Sequence, residues 1–190
     1  MPRTNYAQDS DNPLAQIFWG RVRLEGVSSL FRFEKGSRYQ TLLHLLKYKG
    51  ARKVGKYLGL LLGSELLNSS FEEVDYIVPV PLHKKKERLR GYNQSYIIAE
   101  GVSEQLNKPI INTILIRIKH TDSQTNKARW ERYENLENGF QLGSDFEEYS
   151  NKTLLLIDDV LTTGSTLEAC ALALNRIPNV KIFVATVACA

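Results

Sequence analysis

Cysteine, histidine and long apolar runs are all scarce in this 190-residue chain, and each scarcity excludes something. The only cysteines are Cys170 and Cys189. Nothing in their spacing asks for a disulfide, so a reducing compartment fits. The histidines His44, His83 and His120 are scattered. With the two cysteines they show no paired spacing of the kind a zinc site uses, and no zinc is expected. The longest apolar runs, such as Leu60 to Leu62 and Leu154 to Ile157, are far too short to cross a bilayer. Met1 to Asn12 is polar and lacks the apolar stretch of a secretory leader, which makes the cytoplasm the expected location.

Charge of one sign is scarce too, except in one place. The chain carries 25 cations and 21 acids, a net charge of +4. The run His83-Lys-Lys-Lys-Glu-Arg-Leu-Arg90 holds five cations and one acid, and so accounts for the entire excess. A local excess points to a phosphate-rich ligand or a local nucleic-acid contact rather than to a protein coated in positive charge. The apolar fraction of 43% and charged fraction of 24% are ordinary for a globular chain. The length suits a single sizeable core.

Patterning along the chain suggests two parts. Residues 1 to about 24 read as an irregular lead-in anchored by Phe18 and Trp19. Gly26 to Phe33 suits a strand, Tyr39 to Lys49 a helix with a leucine stripe, and Arg52 to Leu67 a second helix. Gly55, Gly59 and Gly63 recur every four residues on one face of that second helix, which indicates close helix packing. From Asp75 the pattern changes to short apolar runs alternating with amphipathic stretches. Strands are expected at Asp75–Val80, Pro109–Ile118, Lys152–Ile157 and Val180–Val187, with helices at Asn93–Leu106 and Ser165–Asn175. Alternation of this kind predicts an α/β fold with a mostly parallel sheet flanked by helices. Ligands in such sheets sit at the carboxyl ends of the strands. The division is residues 1–70 as lead-in and a helical hood region packed on the core, and 71–190 as the core.

The chemistry concentrates in Leu154-Leu-Leu-Ile-Asp-Asp-Val-Leu-Thr-Thr-Gly-Ser-Thr166. Leu154 to Asp159 reads as a buried strand that ends on two adjacent carboxylates. Burying charge without partners is strongly unfavourable, so hydroxyl donors, a metal or cations are expected nearby. Successive strand residues face opposite ways, which implies different roles for Asp158 and Asp159. Thr162, Thr163, Gly164, Ser165 and Thr166 then lead into a helix. The N–H groups at a helix start, together with the helix dipole, make an anion site, and Gly164 permits the backbone angles the loop needs. A carboxylate pair beside a phosphate cradle suits a ligand with a ribose diol and a 5-phosphate. A Walker phosphate loop is absent, since no Gly-Lys-Ser/Thr occurs.

Every position of this segment resembles the signature with which type I phosphoribosyltransferases bind 5-phosphoribosyl-1-pyrophosphate (PRPP). The resemblance implies that Asp158 and Asp159 address the ribose hydroxyls, directly or through metal. It implies that Thr162 to Thr166 wrap the 5-phosphate, and that a magnesium ion (Mg2+) accompanies the pyrophosphate. The fold it implies is the type I phosphoribosyltransferase fold with a small N-terminal strand and helix subdomain.

A second run, Val78-Pro-Val-Pro-Leu-His83, leads through the basic stretch to Arg88-Leu-Arg90-Gly-Tyr-Asn-Gln94-Ser95. Pro81, Leu82, His83, Lys84, Arg88 and Arg90 are candidates to hold a departing pyrophosphate, where negative charge develops. Two other readings stand beside that one. The run is also compatible with a solvated basic helix start, or with single-stranded DNA binding in which Tyr92 stacks on a base. Taken with Thr121, Gln124, Thr125, Arg129, Arg132, Asn135 and Phe140, these motifs resemble the ComF/GntX family of phosphoribosyltransferase-like proteins. Members usually begin with a four-cysteine zinc module whose cysteines have no counterpart here, so no zinc is carried over. The family is associated with DNA uptake during competence, which implies single-stranded DNA or competence proteins as partners.

The polar segment Lys119 to Glu137 falls where type I enzymes keep a loop that closes over PRPP, with Lys119, Thr121, Gln124, Lys127 and Arg129 as candidate contacts. The reaction implied is magnesium-dependent transfer of phosphoribosyl to a nitrogen on a nucleobase-like acceptor, releasing pyrophosphate. The alternative is a PRPP- or nucleotide-binding regulatory protein without turnover. The acceptor and the oligomeric state, a homodimer included, are left open. Cys170 falls on a helix face with Leu167 and Leu174 and reads as core, not nucleophile. His44, Phe33, Tyr39 and Tyr48 read as packing residues.

Overall fold

The computed structural model describes residues 3–32, 51–118 and 139–190. The expected helix at Tyr39–Lys49, the residues Phe33 and His44, and the segment Lys119–Glu137 with Thr121, Gln124, Lys127 and Arg129 lie outside them. In chain order the elements are α1 (Pro13–Gln16), β1 (Gly26–Arg32), α2 (Arg52–Leu66), β2 (Tyr76–Pro79), α3 (Lys84–Arg90), α4 (Gln94–Leu106), β3 (Leu115–Arg117), β4 (Phe140–Leu142), β5 (Thr153–Leu161), α5 (Ser165–Leu174) and β6 (Lys181–Cys189).

The apolar runs without alternation become the sheet, because its strands are covered on both faces. The order is β1-β6-β5-β2, with every neighbouring pair parallel. Leu155 and Ile157 of β5 enter one apolar cluster, with Leu62, Ile98 and Val102 of α2 and α4. Leu154 and Leu156 enter the other, with Leu167, Cys170 and Leu174 of α5. The sheet therefore separates two helical layers. Residues on both sides of position 70 build the same sheet, since β1 is paired along β6.

Both sheet edges are partly covered. Ile77 N–H donates to Pro109 O (2.9 Å) and Ile111 N–H donates to Ile77 O (2.8 Å), so residues 109–111 line the outer side of β2. At the other edge Thr4 N–H donates to Leu30 O (3.3 Å). Such cover limits edge-to-edge pairing with other chains.

Three expectations need correcting. β5 does not stop at the acid pair but continues to Leu161, held by β6 partners opposite Asp158, Val160 and Leu161. The expected strand at Pro109–Ile118 divides instead. Its start lies along β2, and its end forms β3, which pairs antiparallel with β4. The turn between them redirects the chain, so one apolar stretch serves two sheets. Finally, Phe18 is an anchor at 1% exposure, whereas Trp19 is 62% exposed and anchors nothing.

The glycine spacing on α2 has the packing role expected of it. A Cβ on Gly59 would sit 2.1 Å from Ile98 O, and one on Gly101 would sit 2.2 Å from Lys56 O. Backbone meets backbone at this crossing, and no side chain can yield. Among the described residues no helix is long and apolar enough to cross a membrane. Gly59→Ala is expected to force α2 and α4 apart and to cost about 2–3 kcal/mol, as an overpacked core does. Urea denaturation followed by circular dichroism checks this.

Candidate functional site

The carboxyl end of β5 supplies both acids. Asp158 is 9% exposed and Asp159 5%. The Asp158 Oδ1 accepts from Ser95 Oγ (2.7 Å) and from the main-chain N–H of Asp159 (2.9 Å). Donors to a carboxylate favour its charged form and offset its desolvation. The hydroxyl donor expected near the acid pair is thus Ser95, which comes from α4. The resemblance included Ser95's neighbours, but the sequence carried no signal that joins it to Asp158.

Asn93 sets Ser95 in place. It caps α4 by accepting from Ser95 N–H (3.1 Å), and its amide donates to Val80 O (2.9 Å). An asparagine at this position satisfies orphan N–H groups of the first turn. Here it also ties the helix start to the end of β2.

Beyond Leu161 the chain turns into a hollow lined by Asp158, Val160 and Leu161 to Leu167. Gly164 is buried at φ +78°, while Thr162, Thr163, Ser165 and Thr166 around it are exposed. Gly164 has no side chain with which to cap α5, so the first N–H groups of that ten-residue helix are available to an anion. The hydroxyls of Thr163 and Ser165 lie 2.9 Å apart at the rim. The structure thus brings Asp158 together with the whole predicted loop.

The basic stretch forms the short helix α3. His83 caps it, its Nδ1 accepting from Lys85 N–H (3.2 Å). Lys84 and Arg88 are exposed on α3, and Arg90 donates to Gln94 Oε1 (2.7 Å). Pro81 and Leu82 line a separate cavity of about 520 Å³, together with Arg52, Lys53, Tyr92 and Asn93. The Arg52 guanidinium lies 5.3 Å from the centre of the Tyr92 ring, which burial has already pushed toward a higher phenol pKa. Tyr92 is buried, which does not favour the base-stacking role offered for it. The two hollows share no lining residue. Asn93 faces the larger one and, through Ser95, adjoins Asp158. Among the described residues no three His, Cys, Asp or Glu side chains converge as a metal cage.

Both cysteines are buried and free. Burial pushes the Cys170 thiol well up, and the Asp158 carboxylate adds to this. Burial also raises Cys189, against smaller opposing effects of Ser29 and Arg32.

A parallel sheet whose central strand carries two acids into a Thr-Thr-Gly-Ser-Thr helix start defines a phosphoribosyltransferase-type protein. A model of the phosphoribosyl transferase domain matches residues 93–188. Competence protein F of Haemophilus influenzae is 38% identical over 101 residues, covering 53% of this chain and 44% of that protein. DNA utilization protein YhgH of Escherichia coli K12 is 30% identical over 139 residues, covering 71% and 60%. Competence protein ComFC of Bacillus subtilis is 34% identical over 110 residues, covering 56% and 42%. The chain belongs to the phosphoribosyl transferase domain family, among its ComF-type, phosphoribosyltransferase-like members. It spans about half the length of these curated relatives. The adenine phosphoribosyltransferase of Leishmania tarentolae superimposes with a TM-score of 0.44 at 12% identity, over 95% of this chain and 89% of that one.

Two outcomes follow from the geometry. Gly164→Ala meets both the left-handed backbone and the Phe18 ring, 3.0 Å from the new Cβ. It is expected to lose about 1–2 kcal/mol in urea denaturation. Neither cysteine is expected to react with iodoacetamide in the native protein at pH 8, as read by mass spectrometry. Thiol ionisation in the unfolded chain starts near 9.0, below the folded value. The stabilising contribution of the two neutral thiols is therefore full below that pH and declines above it.

Proposed function

We propose that this chain binds PRPP and transfers its phosphoribosyl group to a nitrogen acceptor with release of pyrophosphate. One observation carries the reading: the uncapped start of α5, with Gly164 at φ +78°, opens beside Asp158 in the carboxyl-terminal part of β5. The 5-phosphate then takes the N–H groups and hydroxyls of Thr162 to Thr166. Asp158 and Asp159 hold the ribose diol and offset positive charge that develops on the ring as C1 becomes oxocarbenium-like. Ser95 keeps Asp158 aimed. Lys84, Arg88 and Arg90 follow the end of β2 and offer cations to the departing pyrophosphate, with Pro81, Leu82 and His83 shaping the turn that leads to them.

Magnesium fits the donor set in a limited way. Two hard carboxylates are too few for a protein cage but suit an ion held largely by phosphate oxygens and water. Bound there, it would neutralise charge on the leaving group. The relatives' names, Competence protein F and DNA utilization protein, support a use of this activity in the handling of DNA.

Calorimetry and a pyrophosphate-release assay test the proposal. PRPP with magnesium is expected to bind the native chain, and a panel of nucleobases to include one that gives turnover. Asp158→Asn is expected to lower that turnover about 100-fold. Binding without turnover above the Asp158→Asn control would reduce the protein to a PRPP binder, and no binding at all would sink both readings.

A further inference from the structure

We propose that Arg21 is a positioning residue for the loop Thr162–Thr166, setting its affinity for a phosphomonoester from outside the hollow. The proposal rests on the reading of that loop as a 5-phosphate site.

The N-terminal segment is built to reach the loop. Asn12, 1% exposed, caps α1 by accepting from Leu14 N–H (2.9 Å) and Ala15 N–H (3.2 Å). Its amide donates to Val27 O (2.8 Å) and Asp9 O (2.6 Å). The start of α1 is thereby fixed to β1, a strand of the central sheet. From its other end Ile17 and Phe18 close on Gly164, where a Cβ would sit 3.2 Å and 3.0 Å from them. Arg21 then adds the polar contacts. One terminal nitrogen donates to Ile17 O (3.1 Å) and to Thr163 O (3.4 Å), and the other pairs with the Glu168 carboxylate. Glu168 lies in the first turn of α5, its N–H bonded to Gly164 O (2.8 Å). A single guanidinium therefore joins the end of α1, the loop and the helix that follows it.

Two consequences bear on a bound phosphate. First, a trans peptide holds its C=O and N–H on opposite sides. With Thr163 O drawn to Arg21, the Gly164 N–H is aimed the other way, and the flat pull of the guanidinium keeps it there. Second, Glu168 puts a negative charge at the helix start that an anion must approach. The Arg21 ion pair offsets that charge. A lysine can answer the charge but not the geometry, because an ammonium lacks the planar fork of donors.

Calorimetric titration of ribose 5-phosphate, with magnesium pyrophosphate as the second probe, tests this on the full chain. Arg21→Ala is expected to raise the Kd for ribose 5-phosphate about tenfold, the scale of one charge-assisted hydrogen bond. The Kd for pyrophosphate is expected to stay the same, a split that general loosening of the fold does not produce. Arg21→Lys is expected to recover only part of the affinity, and it supplies the measurement if the alanine variant fails to fold. Adding Glu168→Gln to Arg21→Ala is expected to restore part of the loss, because the opposing charge is gone. Unchanged ribose 5-phosphate affinity in Arg21→Ala or Arg21→Lys, or an equal loss for both probes, overturns the role of Arg21 alone. Failure of the unaltered protein to bind ribose 5-phosphate overturns the phosphate-site reading and this proposal with it.

Discussion

The arrangement depends on placing two carboxylates at the buried end of the central strand. β5 is hydrogen-bonded to a neighbour on each side, and its apolar residues fill both cores. A strand so placed cannot shift in register without moving both layers. Its rigidity fixes Asp158 and Asp159, but their burial demands donors in return. Ser95 and the Asp159 N–H answer part of that demand for Asp158.

The position of Ser95 traces back to a packing detail on the far side of α4. Gly59 and Gly101 let α2 and α4 approach until backbone meets backbone. That contact sets where α4 lies on the sheet, and so where its first turn begins. Asn93 then joins the first turn to the end of β2 through Val80 O. A glycine stripe that reads as simple helix packing is in this way linked to the hydrogen bonding of a carboxylate on the central strand.

The opposite face of the loop is supported by the N-terminal segment. Phe18 and Ile17 close the space that Gly164 leaves open, and Arg21 spans to Glu168. The loop is held between the strand that precedes it and a segment far away in the chain. The larger cavity beside Pro81 and Leu82 is lined by Asn93 and shares no lining residue with the hollow at the loop.

The segment Leu154 to Thr166 was legible in the amino-acid sequence because its chemistry is local. An apolar strand, two acids, a glycine and a run of hydroxyls stand side by side, and a strand–loop–helix turn needs no distant partner to be read. The same holds for the parallel sheet, announced by continuous apolar runs, and for the glycine spacing on α2. The extension of β5 to Leu161 is not legible in the sequence, because two acids after an apolar run look like a boundary, while β6 across the ladder goes on pairing past them. The division of Pro109–Ile118 between two sheets was hidden for the same reason: an apolar stretch shows that it is buried but not against what. Ser95 opposite Asp158, and Arg21 against Thr163 and Glu168, were decided by tertiary structure alone. Those contacts join residues 63 and 142 positions apart in the first and second case, and no periodicity or spacing encodes a partner at that distance.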